Sequence, residues 1–167
     1  WCNTPLFNMS RPYETLAEAE RIMEHDELAR LAVVTFARQL FLPNIKIDLF
    51  ERGALWTHSM SVAAVASMIS RSSGSGDPGQ IFIAGAMHDI GICASQRLGP
   101  TSFKEVIAQV DDLSTTHAVE RELLGWDHGE LGEAILEQWG LSEEIQAVAR
   151  HHHDADQQLD SPHAEAI

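Results

Sequence analysis

Apolar residues recur at helical spacing along almost the whole chain. Between positions 26 and 41, Leu28, Leu31 and Ala32 are three and four positions apart, which places them on one face of a helix. The same spacing predicts helices at 16–23, 26–41, 56–70, 80–88, 116–124, 128–139 and 142–152, and another that begins near position 101. No segment alternates as a strand does, and no repeat is visible. We therefore predict an all-α, irregular multi-helix fold with no sheet.

Residues typical of helix ends and loops separate these segments. Thr15 is placed to cap the first helix. Thr101 or Ser102 is placed to cap a later one, with Glu105 in position for a capping box. The stretch RSSGSGDPG at 71–79 has neither a packing face nor a helical preference, which predicts an exposed loop. We interpret this loop as a connection within one domain.

The size and charge of the chain limit the kinds of protein to which it can belong. Its 167 residues are typical of a single domain, and 44% hydrophobic residues suffice for a core. A net charge of −14 opposes binding to nucleic acid and to anionic membranes. No apolar stretch is long enough to span a bilayer, and no secretory signal is visible. With only Cys2 and Cys93, and no zinc-type spacing, a reducing cytoplasm is the expected compartment.

Nine histidines are present, and their positions matter more than their number. Most lie at the end of a predicted helix or within an apolar pattern. The residues placed in this way are His58, His88 with its neighbour Asp89, His128, and His151 to His153. Any one of them alone is more simply a hydrogen-bonded structural histidine. Together, imidazole and carboxylate ligands suit divalent iron, manganese, nickel or zinc, so the joint pattern favours a metal-binding site.

Other polar residues have simpler interpretations. Consecutive helical residues point about 100° apart, so His151 to His153 cannot all face one site, and His151 is the expected exception. Glu120 is expected to be solvated, with the orientation of a histidine as the alternative. The histidines interpreted as surface or structural residues are His25, His117 and His163.

Three segments carry motifs whose order is similar to that of a known family. They are LWTHSMSVAAVASMISR, IFIAGAMHDIGI and ERELLGWDHGELGEAILEQWGLSEEIQAVARHHHDA. The order is a histidine, then HD, then G-x-D-H-x-x-x-G, then W-x-L, and then HH. It resembles the HDOD domain, the HD-related output domain of bacterial signalling proteins. The opening segment, NTPLFNMSRPYETLAEAERIMEHDELARLAVV, is also similar to that family, so the resemblance covers nearly the whole chain.

The resemblance implies a fold, a domain extent and a set of ligands. Residues 1–167 would form a single HD-like domain that lacks the family's preceding helices and its following C-terminal helix. In catalytic HD proteins, one or two divalent ions activate water for attack on a phosphoester. The ligands that carry over to this chain are His58, His88, Asp89, His128, His152 and His153. Asp89 would bridge two ions and is the candidate catalytic residue.

The chain also departs from the catalytic relatives. HD-GYP phosphodiesterases have a lysine after HDIG that steadies the phosphate, and here that position is Ile92. The GYP phrase is absent, and an acidic ligand of some relatives corresponds to Ala54. These departures favour a regulatory or output module of bacterial signal transduction that retains a metal site.

Two alternatives remain from the sequence. One is a metal-dependent phosphohydrolase or phosphodiesterase that acts on a nucleotide or phosphodiester, which the retained histidines and Asp89 favour. The other is an all-α interaction protein whose histidines bind no metal. The expected partner is a signalling protein or a small phosphorylated ligand.

Overall fold

Helices dominate the structure. The computed structural model describes residues 25–42 and 45–154, together with residues 12, 14, 15, 17, 18, 21 and 23. In chain order the helices are α1 His25–Leu40, α2 Arg52–Ser73, α3 Pro78–Met87, α4 Ile90–Leu98, α5 Pro100–Ile107, α6 Thr116–Leu124, α7 His128–Gln138 and α8 Glu143–His151. A short 3₁₀ helix at Leu113–Thr115 precedes α6. The prediction of an all-α fold is confirmed.

Several predicted helices agree closely with the structure. The helix predicted at 116–124 has the same limits as α6, and those at 26–41, 128–139 and 142–152 correspond to α1, α7 and α8. Half of the residues of the helix predicted at 16–23 lie outside the described residues. Its predicted cap is present, because the Thr15 hydroxyl accepts a hydrogen bond from the Glu18 amide at 3.1 Å.

The expectation of no sheet is wrong at one place. Two short strands, β1 (Lys46–Ile47) and β2 (Phe50–Glu51), pair antiparallel before α2. Asp48 turns the chain between them with a φ of 48°, in the left-handed region that aspartate tolerates better than most residues. Strands of two residues are too short to show an alternating pattern, so no signal for them is present in the sequence.

Helix α4 was not predicted. The sequence pattern placed a helix end at His88 and the next helix start near position 101. In the structure α3 and α4 are separated only by His88 and Asp89. The predicted caps of α5 are also wrong, because Gly99 is its N-cap and no side chain caps it. Pro100 begins α5, as a proline can where the first amide needs no helical partner.

The exposed loop is shorter than the predicted 71–79. Helix α2 continues to Ser73 and α3 begins at Pro78, so only residues 74–77 connect them. Gly74 ends α2 with a φ of 70°, and Asp77 caps α3 by accepting from the Gln80 amide at 2.8 Å. The serines at the end of α2 satisfy their hydroxyls on nearby carbonyls, which lets the helix run on through a stretch of low helical preference.

Helix α3 lies at the centre of the fold. It packs against α1, α2 and α8, while α7 packs against both α4 and α8. The main apolar core joins these helices and consists of Ala37, Phe41, Ala84, Met87, Ile90, Cys93, Leu136, Ile145, Val148 and Ala149. In the part of the chain that the structure describes, no helix has the length and apolar content needed to cross a membrane.

Gly91 permits the close crossing of α4 and α7. A Cβ on this residue would overlap the backbone carbonyl of His128 and would lie 2.9 Å from the Gly132 amide nitrogen. Both are backbone atoms, which cannot rotate away as a side chain can. The glycine that resembled a helix end in the sequence is therefore required by tertiary packing.

We expect Gly91→Ala to lower the free energy of unfolding by about 3 kcal/mol or more, because α4 and α7 must separate to admit the methyl group. The matched control is Gly99→Ala, where the added Cβ would lie 3.8 Å from Ser102, and this change should alter stability by less than about 1 kcal/mol. Urea unfolding followed by circular dichroism measures both. Equal stability of the two variants would contradict the proposed crossing.

Candidate metal centre

His88 and Asp89 occupy the junction between α3 and α4. His88 is the C-cap of α3 and Asp89 is the N-cap of α4, and both side chains are almost fully buried. The chain turns at this junction because Asp89 has a φ of −99° and a ψ of 15°, outside the helical region. The turn leaves the HD pair facing the ends of α7 and α8.

The other predicted ligands come from three helices. His128 is the first residue of α7, whose N-cap Asp127 accepts from the Glu130 amide at 2.9 Å. His152 is the C-cap of α8, and His153 follows it. His58 lies within α2, and 56% of its side chain is exposed. The structure thus brings all six predicted ligands together, from segments up to 95 residues apart in sequence.

Asp89 lies between two groups of histidines. Its Oδ2 atom is 3.1 Å from His88 Nε2 and 3.7 Å from His58 Nε2. Its Oδ1 atom is 3.2 Å from His152 Nε2 and 3.6 Å from His128 Nε2. The candidate ligand atoms form two sets, His58–His88–Asp89 and Asp89–His128–His152–His153, each within 4.8 Å. One carboxylate is therefore shared by both sets, as a bridging ligand would be.

The Nδ1 atoms of three histidines have partners outside the cluster. His88 Nδ1 donates to the Gly85 carbonyl at 2.8 Å, and His152 Nδ1 donates to the Ala149 carbonyl at 2.9 Å. His128 Nδ1 donates to Glu120 Oε2 at 2.6 Å. Each of these bonds fixes the proton on Nδ1 and leaves the Nε2 lone pair of the neutral ring directed at the cluster.

These lone pairs converge at short range. His128 Nε2 is 3.0 Å from His153 Nε2 and 3.3 Å from His152 Nε2, and His58 Nε2 is 3.3 Å from His88 Nε2. A proton shared between two rings satisfies two nitrogens at most, whereas a cation satisfies several together. Nitrogens about 2.1 Å from one ion, at tetrahedral or octahedral angles, are separated by roughly 3.0–3.4 Å. The donor set fits a divalent metal ion.

Glu120 holds His128 in place, contrary to the expectation that it is solvated. It is fully buried on α6, and its Oε2 atom accepts from both the amide and Nδ1 of His128, at 2.8 and 2.6 Å. The alternative interpretation, that Glu120 orients a histidine, is the correct one. A carboxylate behind a ligating imidazole fixes its tautomer and increases its basicity.

The electrostatics of the cluster differ from ring to ring. Burial opposes the charge of His88 and His128, yet the neighbouring carboxylates Asp89 and Glu120 raise the pKa of both above the usual value. Burial also opposes ionisation of Asp89, but His88 and His152 hold its pKa well below its usual range. Burial, with His152 and His128 nearby, lowers the pKa of His153 to about 3. The His153 imidazole is therefore neutral at any physiological pH.

Two histidines near the cluster differ in role. His151 points away, with Nδ1 2.9 Å from Asp154 Oδ2, in line with its expected exclusion. His117, interpreted from sequence as a surface or structural residue, is half-buried and stacks on His153, with ring centroids 4.1 Å apart and planes 15° apart. The sequence feature that could have indicated this contact is the position of His117 on α6, three residues before Glu120 and on the same helix face. His163 lies outside the described residues.

A cleft of about 410 Å³ opens beside the cluster. His58, Asp89, His128 and His153 contribute to its lining. The remaining wall is mostly apolar and includes Phe50, Leu55, Ile92, Ile107 and Leu113, with Ala54 beside them. The cluster is therefore accessible to a small molecule.

No lysine or arginine lines this cleft among the described residues. Two arginines of α6 and α8 pair elsewhere, Arg121 with Asp127 and Arg150 with Glu130. Ile92, at the position that is lysine in the HD-GYP motif, packs against Phe50, Phe103 and Ile107. The site thus combines a complete set of metal-ligand candidates with a surface that offers no cation to a phosphate.

Comparison with solved structures places this arrangement among known folds. An HDOD domain protein of unknown function from Geobacter sulfurreducens superposes with a TM-score of 0.82 at 28% identity, over 99% of this chain and 55% of that one. A protein from Shewanella amazonensis SB2B, provisionally described as a phosphohydrolase, gives 0.74 at 21% identity, over 92% and 56%. A protein from Marinobacter aquaeolei VT8, provisionally described as a signal transduction protein, gives 0.75 at 20%, over 99% and 37%.

The chain spans between about a third and just over half the length of these three structures. No curated protein matches its sequence. The HDOD domain family matches residues 1–155, which include every residue of the cluster. The order of motifs in the sequence, the helical fold and this match agree, and the chain belongs to the HDOD domain family.

Proposed function

We propose that this chain is a regulatory or output module of bacterial signal transduction whose His/Asp cluster binds one or two divalent metal ions. The ligands are His58, His88, Asp89, His128, His152 and His153, with Asp89 shared between the two sets. Iron, manganese, nickel and zinc suit this mixture of imidazole and carboxylate. The single observation that carries the proposal is the convergence of Nε2 lone pairs around a buried, ionised Asp89.

The signalling role has separate support. The family is one of output domains, and one structure of similar fold is provisionally described as a signal transduction protein. Among the described residues, no lysine or arginine lines the cleft beside the cluster to hold a phosphoryl group, so efficient phosphoester hydrolysis is not favoured. The proposed output is a change in contact with a signalling protein partner in the cytoplasm.

A purified chain loaded anaerobically with Mn(II) or Fe(II) and then desalted should retain one or two ions per chain, measured by inductively coupled plasma mass spectrometry. Asp89→Ala should lose most of this metal, because both ligand sets share that carboxylate. Asp111→Ala is the matched control, since Asp111 is exposed, and it should retain the full content. Wild-type protein that retains no metal would contradict the proposal.

Glu120→Gln should weaken metal binding by about 10- to 100-fold, because the neutral amide orients and polarises His128 less well than the carboxylate does. The control is Glu122→Gln on the same helix, whose side chain is exposed and should not affect affinity. Competition with a fluorescent chelator measures both dissociation constants, and circular dichroism checks that each variant is folded. An unchanged affinity in Glu120→Gln would show that His128 does not ligate through the arrangement described.

The second candidate function is a metal-dependent phosphohydrolase or phosphodiesterase acting on a nucleotide or phosphodiester. It is favoured by the bridging position of Asp89 and by the opening of the cluster to the cleft. A bound divalent ion would supply Lewis-acid activation of water and of the phosphoester. Asp89 would hold the ions, and the mostly apolar lining of the cleft would contact the leaving group.

Hydrolysis of bis(p-nitrophenyl) phosphate by the Mn(II)-loaded chain distinguishes these functions. We expect a rate within about twofold of that of the Asp89→Ala variant, because no lysine or arginine of the described residues lines the cleft to stabilise the transition state beside the ion. A wild-type rate more than about tenfold above the variant would establish the phosphohydrolase instead.

A further inference from the structure

His153 is supported differently from the other two rings of its ligand set. The Nδ1 atoms of His128 and His152 are each fixed by a hydrogen bond to a protein oxygen. Among the described residues, the hydrogen-bond contact of His153 is instead at Nε2, 3.0 Å from His128 Nε2. The His153 ring also borders the cleft, so it has open space into which it could turn. A ligand in this position needs another contact that keeps its Nε2 atom directed at the cluster.

His117 supplies such a contact. Its imidazole lies nearly parallel to that of His153, with ring centroids 4.1 Å apart and planes 15° apart. Rings at this separation are in van der Waals contact, so rotation of His153 about its Cβ–Cγ bond would drive the ring edge into His117. The ring of His152 lies equally close to that of His153, at 43°. Of these two neighbouring rings, His117 is the one that lies outside the candidate ligand sets.

Helix α6 places His117 beside the cluster. His117 lies three residues before Glu120, and residues three apart share one face of a helix. The fully buried Glu120 carboxylate accepts hydrogen bonds from the amide and Nδ1 of His128, which ties this face of α6 to the start of α7. One turn of α6 therefore contacts two ligands of the same set, His128 through Glu120 and His153 through His117.

The contact that His117 offers is the face of its ring. Its Nδ1 atom is buried, and no described residue reaches that atom with a hydrogen bond of normal geometry, although the Ser114 carbonyl lies nearby. Neither nitrogen of His117 belongs to the two sets of converging ligand atoms. The contact with His153 thus needs a flat ring at position 117 and does not need a nitrogen there.

We propose that His117 is a positioning residue, whose ring stacks on His153 and holds that histidine as a ligand of the ion bound by its set. That set is Asp89–His128–His152–His153. The inference rests on the proposed metal site and concerns this one set, whether or not the other set holds a second ion. The affinity of the set for a divalent ion should then depend on an aromatic ring at position 117.

Titration of the full chain with Co(II), in competition with a fluorescent chelator, tests the proposal. His117→Ala should bind one ion about three- to tenfold more weakly, because the stack on His153 is lost. His117→Phe should bind within about twofold of the wild type, because a phenyl ring preserves the stack. His151→Ala is the matched control and should keep the wild-type affinity, because His151 pairs with Asp154 outside the cluster. Circular dichroism checks that each variant is folded.

The visible absorption spectrum of bound Co(II) separates a positioning role from general support of the fold, because its bands respond to the number and geometry of the ligands. His117→Ala should change this spectrum, and His117→Phe should restore it. A His117→Phe variant as impaired as His117→Ala would show that a nitrogen is required and would overturn the stacking role. A His117→Ala variant with wild-type affinity and spectrum would overturn this inference alone, whereas a wild-type chain that binds no Co(II) would overturn the proposed function with it.

Discussion

Helices α4 and α7 cross where the backbone carbonyl of His128 occupies the space that a side chain on Gly91 would fill. This contact sets the distance between the two ends of the candidate site. Asp89 begins α4 and His128 begins α7, so the closeness of the two backbones brings the carboxylate to 3.6 Å from the imidazole. A larger residue at position 91 would move Asp89 away from the histidines of α7 and α8.

Burial of so many polar groups requires that each has a partner. The backbone carbonyls of Gly85 and Ala149 and the carboxylate of Glu120 satisfy one nitrogen of three rings. The other nitrogens converge on Asp89, where a divalent ion would compensate lone pairs that otherwise oppose one another at 3.0–3.3 Å. The donor atoms of this polar interior thus fit a divalent ion.

The same site borders a mostly apolar cleft. Because of this lining, the capacity to bind a metal ion does not by itself imply hydrolysis of a phosphoester. Catalysis on a phosphoester needs positive charge that meets the developing negative charge of the transition state. In the described part of this cleft, the lining beside the cluster is instead mostly apolar and includes Phe50, Ile92 and Leu113.

The sequence alone determined the helical class, the family and the set of six candidate ligands, because periodicity and the order of short motifs are properties of the chain. It missed helix α4, the two short strands and the contact of His117 with His153, and it offered the role of Glu120 only as an alternative. Each of these features depends on which helices and side chains pack against one another. Gly91 has the same local preference whether it ends a helix or lies at a crossing, and a glutamate on α6 has no local sign that it is buried against His128. Only the tertiary structure decided these points, because each arises from contact between segments distant in sequence.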